Sequence, residues 1–333
     1  MTMWILVDRY LPPNNRPILC SCETFLKRSF VAKNGMLSVK IVHGVASVFC
    51  NPAYRRRGFA SRMMSELAEV LRKWQTTAED CAGSVVYSDI GKSFYAAFGW
   101  YAFADNNMHV ELYPQAAITA LETAELGAED LEPLCIKDQE LIRRQMKRKS
   151  TDGRLQMMLV PDHDHMLWHH KKEEYVCEKL FGKKPTVKGA VVGLPGRRIW
   201  AIWTHRFYSN PATASSDNTL YILRLVVEDQ EPSENDLLGL KDSSTETTRL
   251  GILTGSLKAV LQHAQAEAAD WGLGKVCMWH PTPLVLGLIL QTGLPHRVIE
   301  RTDEGIASLL WFDEGSGSKD KIQWIGNEKY GWC

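Results

Sequence analysis

Over the first fifty residues the apolar positions come in short β-type runs, WILVD, PILCSCETF and VASVFC. They are set apart by the turn PPNNRP and by glycine-containing loops at Asn34-Gly35 and His43-Gly44. Between Gly58 and Trp74 the period changes. Met63, Leu67, Val70, Leu71 and Trp74 recur at helical spacing while Arg62, Glu66, Glu69 and Lys73 take the other faces, which predicts an amphipathic helix directly after a strand. A polar loop, TTAEDCAG, then leads to a predicted strand SVVYSDI, a short helix KSFYAAFG stopped at Gly99, and strands WYAF and HVELY.

From 116 to 150 the chain turns Ala/Glu/Leu-rich and closes on the basic run from Arg143 to Lys149, placing a domain junction near 113–120. Beyond it the pattern predicts helices over 128–148 and 166–181, a hairpin of VKGAVVG and RRIWAIWTHRF turned by Leu-Pro-Gly, and a strand LYILRLVVE. A polar loop (228–249), a long helix LTGSLKAVLQHAQAEAADWG, a strand KVCMW, a short helix PLVLGLILQTG and strands around HRVIERT and SLLWF follow. Strand, long helix, strand, short helix and paired strands thus occur twice. This predicts an internal structural duplication of two α/β units, residues 1–115 and 116–333.

With 333 residues, 45% of them hydrophobic, the chain can bury the cores of two such units. Its 39 basic and 39 acidic residues cancel, so no global field gathers polyanions, nucleic acid is not an expected partner, and an anion site must be local. The eight cysteines form no repeated CxxC pairs, the opening MTMWILVDRYLPP has too short an apolar run for a secretory signal, and Cys333 sits in no prenylation box. The expected setting is therefore reducing and cytoplasmic. The longest apolar run, PLVLGLIL at 283–290, falls well short of the roughly 18 residues of a membrane helix.

The local anion site is expected at CNPAYRRRGFAS, residues 50–61. At the start of a helix the backbone N–H groups lack internal partners and sit at the positive end of the helix dipole, so a tight turn there can hold a phosphate. Gly58 permits a close turn, Ala60 leaves room, and Arg55, Arg56 and Arg57 add charge, which together suit a diphosphate. A solvated basic turn is the plainer reading of the three arginines alone.

Arg55-x-x-Gly58-x-Ala60 between a strand and a helix resembles the acyl-CoA loop (R/Q-x-x-G-x-G/A) of the GNAT superfamily of N-acetyltransferases, and SVVYSDI with KSFYAAFGW resembles that superfamily's fifth strand and following helix. SCET, SVFCNPAYRRRGFASRMM, YSDIGKSFYAAFGW, PDHDHMLWHH, GRRIWAIWT, LYILRL, AEAADWGL and the ending NEKYGWC together resemble the fungal lysine ε-N-acetyltransferases, over nearly the whole chain. The resemblance implies a GNAT fold, a mixed and mostly antiparallel sheet with splayed central strands, followed by a second, degenerate GNAT-like α/β unit. That second unit carries no R/Q-x-x-G-x-G/A between LYILRLVVE and its long helix, so it is expected to shape the substrate site rather than to bind CoA. GNAT domains usually begin with a strand and two helices before the strand matched by WILVD, so the catalytic unit is expected to be shortened at its N-terminus.

The resemblance implies acetyl-CoA as co-substrate. The fourth-strand backbone, here Val48, Phe49 and Cys50, would contact the pantetheine arm, and Arg55, Arg56, Arg57, Gly58, Phe59, Ala60 and Ser61 would hold the pyrophosphate. Tyr95 would protonate the departing thiolate. An amine must shed a proton before it attacks, and Glu23 and Asp89 are the candidate acceptors, directly or through water. A solvent-side strand charge is the plainer reading of Glu23, an N-cap that of Asp89, and a packed core aromatic that of Tyr95. The expected acceptor is a small primary amine, the side-chain amine of free L-lysine; a polyamine, a secondary metabolite, a protein lysine, or CoA binding without catalysis are the alternatives.

His163, His165, His169 and His170 in PDHDHMLWHH have the look of a metal cluster, but no second motif completes a tetrahedral set and this chemistry needs no metal. Cys20, Cys22 and Cys50 are expected as packing residues, with a ping-pong cysteine as the sharper alternative. The tail residues Tyr330, Trp332 and Cys333 either anchor on a domain surface or fill the acceptor cleft.

Overall fold

The computed structural model describes residues 1–77, 80–103, 107–116, 122–148, 153–211, 216–228, 243–312 and 321–332. The chain begins with strands β1 (Thr2–Val7), β2 (Ile18–Lys33) and β3 (Met36–Cys50), helix α1 (Phe59–Leu71), β4 (Cys81–Ser88), a single helical turn α2 (Ser93–Ala96), β5 (Tyr101–Ala102), β6 (Met108–Leu112) and β7 (Ala124–Leu126). It continues through α3 (Leu131–Met146), β8 (Leu155–Leu159), α4 (His163–Phe181), β9 (Gly189–Val192), β10 (Ile199–Arg206), β11 (Thr219–Val227) and α5 (Ser243–Asp270). The last elements are β12 (Lys275–Trp279), α6 (Pro283–Thr292), β13 (His296–Glu300), β14 (Ile306–Trp311) and β15 (Ile322–Trp324).

Local chemistry sets several boundaries. Asn34 and Gly35 take successive positive φ angles of 53° and 80°, the primed-turn geometry that reverses β2 into β3 without disturbing their twist. The second expected loop, at His43-Gly44, is instead mid-strand: Gly44 pairs with Phe25 in a run of consecutive pairs from Glu23 to Lys33. Helix α4 starts at His163, three residues before the predicted 166, because the Asp162 side chain caps it by accepting the His165 backbone N–H.

Two sheets result. One runs β15-β8-β2-β3-β4-β14-β5, with β1 added on β2; the other runs β13-β6-β12-β11-β10-β9-β7. The five strands β2-β3-β4-β14-β5 correspond in order to β10-β11-β12-β6-β13, with the parallel pair in the same place: β3 beside β4, β11 beside β12. The connections correspond too. Helices α1 and α5 join the parallel pairs, and α2 and α6 follow them. The expected duplication is therefore visible in the strand order.

Each unit is completed by the other. β14, from late in the chain, lies between β4 and β5, with Ala307 opposite Tyr87. β6, from early in the chain, lies between β12 and β13, with Val110 opposite both Met278 and Val298. Segments with no predicted structure, 155–159 and 322–324, become β8 and β15 at the far edge of the first sheet.

Side-chain alternation then sorts three cores. Val85 and Tyr87 of β4 face a shared core with Trp200 and Ile202 of β10, while Val86 faces the outer side with the α1 residues Met63, Met64, Leu67 and Leu71. Ala201 and Trp203 face outward to α5 and α6. Tyr330, fully buried, sits in the shared core and donates its hydroxyl hydrogen bond to the Leu159 carbonyl at 2.6 Å. The C-terminal segment is thereby fixed between the two units. Among the described residues no helix is long and apolar enough to cross a membrane.

Candidate functional site

The site begins with one extra residue. Along the β2/β3 hairpin Glu23 faces Ala46 but Ser21 faces Phe49, so β3 holds a bulge, with Ser47 at φ 52°. A bulge bends its strand. The parallel pairing of β3 with β4 ends at Val45 and Val86, and from Ala46 onward the β3 edge is released from β4. Val48, Phe49 and Cys50, the expected pantetheine contacts, lie on that released edge.

The chain leaving Cys50 makes a compact loop. Asn51 caps a 3-10 turn over Pro52–Tyr54, and the Arg55 Nε donates back to the Cys50 carbonyl at 3.1 Å. The Arg55 guanidinium lies 5.7 Å from the Phe49 ring centroid, and that of Arg57 5.8 Å from the Tyr54 ring. Gly58 caps α1 at φ +77°, a conformation L side chains avoid, yet an added Cβ would meet nothing within 4 Å. Its requirement is backbone conformation rather than space. The first intrahelical bond runs from Arg62 N–H to the Gly58 carbonyl, so the N–H groups of Phe59, Ala60 and Ser61 precede the helix's own ladder. They share the mouth of the strand gap with three exposed arginines.

Tyr95 is 7% exposed and shares an apolar cluster with Cys20, Cys22, Val48, Cys50, Phe59 and Ala60. The structure thus gathers Tyr95 with four of the expected cofactor residues, Val48, Cys50, Phe59 and Ala60, on the outer face of the first sheet, while Phe49 alternates away from it and is exposed. Burial first, and the Asp89 carboxylate next, push its phenol up to about 12, so it is protonated at neutral pH. Burial likewise pushes the Cys20 thiol up to about 11 and Cys22 to about 12, the reverse of what a nucleophilic thiolate requires.

The two candidate proton acceptors stand elsewhere. Glu23, alternating with Cys22, points to the opposite face, where its Oε2 accepts a hydrogen bond from Ser47 Oγ at 3.1 Å and its charge acts on Lys172 of α4. Asp89 does not cap α2, whose N-cap is Lys92; its Oδ1 accepts the Gly305 N–H at 2.9 Å and ties the end of β4 to the loop before β14.

Asp89 also lines a cavity of about 660 Å³ between the end of β4, the face of the second sheet and the C-terminal segment. Tyr221, Trp279, Arg206, Arg301, Lys329 and Trp332 supply its walls. The Lys329 Nζ stands 3.9, 4.0 and 4.5 Å from the ring centroids of Trp279, Trp332 and Tyr221, and the Arg301 guanidinium 3.6 Å from that of Trp279. The exchanged strand β6 adds His109 and Glu111. Burial opposes the Glu111 charge, but Lys275 at 2.6 Å and His109 at 3.3 Å hold its carboxyl below the usual range. Of these residues only Asp89 and Trp332 carried a signal in the sequence. Arg206, Tyr221, Trp279 and Arg301 lie in strand runs or loops that look like ordinary structure, and only the pairing of β10, β11 and β12 brings them together. Cys333 lies outside the described residues.

The four histidines of α4 disperse. His165 Nδ1 lies 2.6 Å from Asp162 Oδ1, His169 Nε2 lies 3.3 Å from the Tyr330 carbonyl, and His170 Nε2 lies 2.9 Å from the Trp203 carbonyl. Each buried ring answers a different polar group, and among the described residues no three His, Cys, Asp or Glu side chains are placed to hold a metal ion.

No curated protein sequence matches the chain significantly. Among solved structures, a GCN5-related N-acetyltransferase from Kribbella flavida aligns at 14% identity and TM-score 0.44, covering 88% of this chain and 56% of that one. Eis1 from Mycobacterium abscessus aligns at 12% identity and TM-score 0.44, covering 89% and 62%. Saccharomyces cerevisiae N-myristoyltransferase with bound myristoyl-CoA aligns at 9% identity and TM-score 0.49, covering 89% and 68%. The chain thus spans less than two thirds of the first two structures' length. Residues 108–333, about two thirds of the chain, match the family model described as the LYC1 GNAT-like C-terminal domain, and the chain belongs to this GNAT-like family.

Proposed function

We propose that the chain is an acetyl-CoA-dependent N-acetyltransferase acting on a primary amine, the side-chain amine of free L-lysine. The observation that carries this reading is the parting of β3 from β4 after Val45 and Val86, with Gly58 and the first turn of α1 at its mouth. The released β3 edge offers backbone partners to an amide-bearing arm. Three N–H groups and three arginines suit a pyrophosphate. In this reaction Glu23 or Asp89, directly or through water, takes a proton from the incoming ammonium, and the neutral amine attacks the thioester carbonyl. The C–N bond forms as the C–S bond breaks, Tyr95 gives its proton to the leaving thiolate, and the proton that the nitrogen sheds as the amide forms restores the phenol. Cofactor side and acceptor side lie on opposite faces of the first sheet, and the strand gap is the passage between them.

Four cations, Arg206, Lys275, Arg301 and Lys329, line the cavity of Asp89 together with five carboxylates, and Arg206 and Lys329, which make no ion pair with a described residue, favour an acceptor carrying a carboxylate over a polyamine. We place the reaction in the cytoplasm, in keeping with seven described cysteines that are all unpaired.

The test is thiol release from acetyl-CoA in the presence of L-lysine, for the chain and for Tyr95→Phe. The variant is expected to fold normally and to lose roughly 10²-fold in rate, the ordinary worth of one positioned acid. CoA binding without lysine-dependent thiol release from the unaltered chain would overturn the reading.

A further inference from the structure

The cavity between the units is lined by two cations that make no ion pair with a described residue, Lys329, which is buried, and Arg206, which is half-buried. Lys329 is 5% exposed, its Nζ is surrounded by the rings of Trp279, Trp332 and Tyr221, and it makes no ion pair with a described residue. Arg206 approaches the same indole: its guanidinium lies 5.6 Å from the Trp332 ring, and its Nε is buried without a hydrogen-bond partner. Both line the cavity of about 660 Å³. The acids nearby are committed or outlying. Glu111 is engaged by Lys275 and His109, Asp89 accepts the Gly305 N–H, and Glu300, Asp303 and Glu304 are exposed where they line the cavity.

Buried cations need an anion, and ring faces offset only part of their lost hydration. Burial, with repulsion from Arg301 and Arg206 and against the attraction of Asp89, drives the Lys329 pKa well below the usual value for lysine. A carboxylate lodged between the two side chains removes both penalties.

We infer that Arg206 and Lys329, both beside the Trp332 indole and both lining this cavity, form the subsite that takes the α-carboxylate of the acceptor, leaving its side-chain amine toward Asp89. This rests on the proposed acetyltransferase reading. It makes the two cations the residues that set acceptor choice: a diamine leaves them uncompensated, and a lysine within a protein has no free α-carboxylate to offer.

The probes are L-lysine and cadaverine, which differ only in that carboxylate. The chain is expected to favour lysine in kcat/KM, and Arg206→Met or Lys329→Met to cut that preference by roughly 10- to 100-fold, the loss of one charge-assisted contact. The methionine keeps an unbranched stem against the rings. Equal use of the two amines by the unaltered chain, or an unchanged ratio in both variants, overturns the subsite while leaving the acetyltransferase reading intact. If thiol is released with neither amine, that reading fails instead. Calorimetric titration with L-lysine then decides: binding lost in both variants supports the subsite, while no binding or unchanged binding overturns it.

Discussion

In the first sheet the parallel strands stop pairing at Val45 and Val86; in the second they stop at Ile222 and Met278. Both partings are accompanied by a bulge against the neighbouring strand, after Ala46 in β3 and at Leu223 in β11. What fills the opening differs. Beyond the first parting lie a glycine cap and the start of α1. Beyond the second, the Leu225 N–H donates to Glu328 at 2.9 Å and Arg224 is held by Asp138 at 2.7 and 2.8 Å and by Glu328, beside a cavity of about 560 Å³ that Arg224, Val226 and Thr282 line. One geometry thus gives a receptive strand edge in one unit and an anchored joint in the other. A released strand edge is a site only where the protein does not satisfy it.

The largest effect is expected at that joint. Asp138→Ala leaves the Arg224 guanidinium buried with one acid fewer, costing about 3–5 kcal/mol in urea unfolding. Burial, and the second carboxylate of Asp138, push the Glu328 carboxyl up to about 7. Replacing Arg224, Asp138 and Glu328 together by methionine, leucine and glutamine, the last still able to accept the Leu225 N–H, should recover most of the loss. A triple variant as unstable as the single one would show that the anchoring is not this ion cluster.

Next comes the receptive edge. Gly58→Val forces a β-branched residue into φ +77° with no steric contact, so the penalty is conformational, about 1–2 kcal/mol, and is expected as roughly 10-fold weaker acetyl-CoA binding by calorimetry with the fold retained. Unchanged affinity would remove the loop from the site and with it the contrast between the two openings.

A pH series sharpens the comparison further. In the second unit His205 is buried between Glu173 at 2.8 Å and Glu267 at 3.0 Å, with Lys188 on Glu173 at 2.5 Å. Burial opposes both charges, but His205 and its neighbours hold the Glu173 carboxyl at about 2, and the two carboxylates raise the histidine. The Glu173 contribution is complete above its unfolded value of about 4.5 and is lost as pH falls toward 2. The His205 contribution is complete below about 6.5 and is lost as pH rises through its raised value. Urea midpoints are therefore expected to peak between those limits for this network, and His205→Phe should flatten the alkaline side. The smallest effect belongs to Arg56, at φ 62° on the surface. Arg56→Gly relieves that conformation but frees the unfolded chain, so its stability should stay within about 0.5 kcal/mol, with only a modest loss in CoA affinity.

Much of the first unit was legible because its signals are local. The change of period at Gly58, the amphipathic face of α1 and the stop at Gly99 need only neighbours within a turn or two. The duplication was legible for the same reason, as an order of elements repeated. The exchange of β6 and β14 was not: HVELY and SLLWF read as strands, but nothing in a strand's own residues names its partners. β8 and β15 were missed because LQMML and IQW are short apolar runs without flanking turn chemistry. The histidines of α4 misled in the opposite way, since clustering in sequence says nothing about which distant carbonyl each ring will meet.

By itself the sequence determined the helices and every strand but β8 and β15 and the short β7, the glycine-capped turn with its arginines, and the repeated order of the two units, because those follow from periodicity and backbone conformation. The tertiary structure alone decided that the units complete each other's sheets, that Glu23 and Tyr95 face opposite sides, and that the tail carries Lys329 into a cage of rings beside Arg206. These depend on alternation across paired strands and on contacts between residues more than a hundred positions apart, which only the packed chain brings into range.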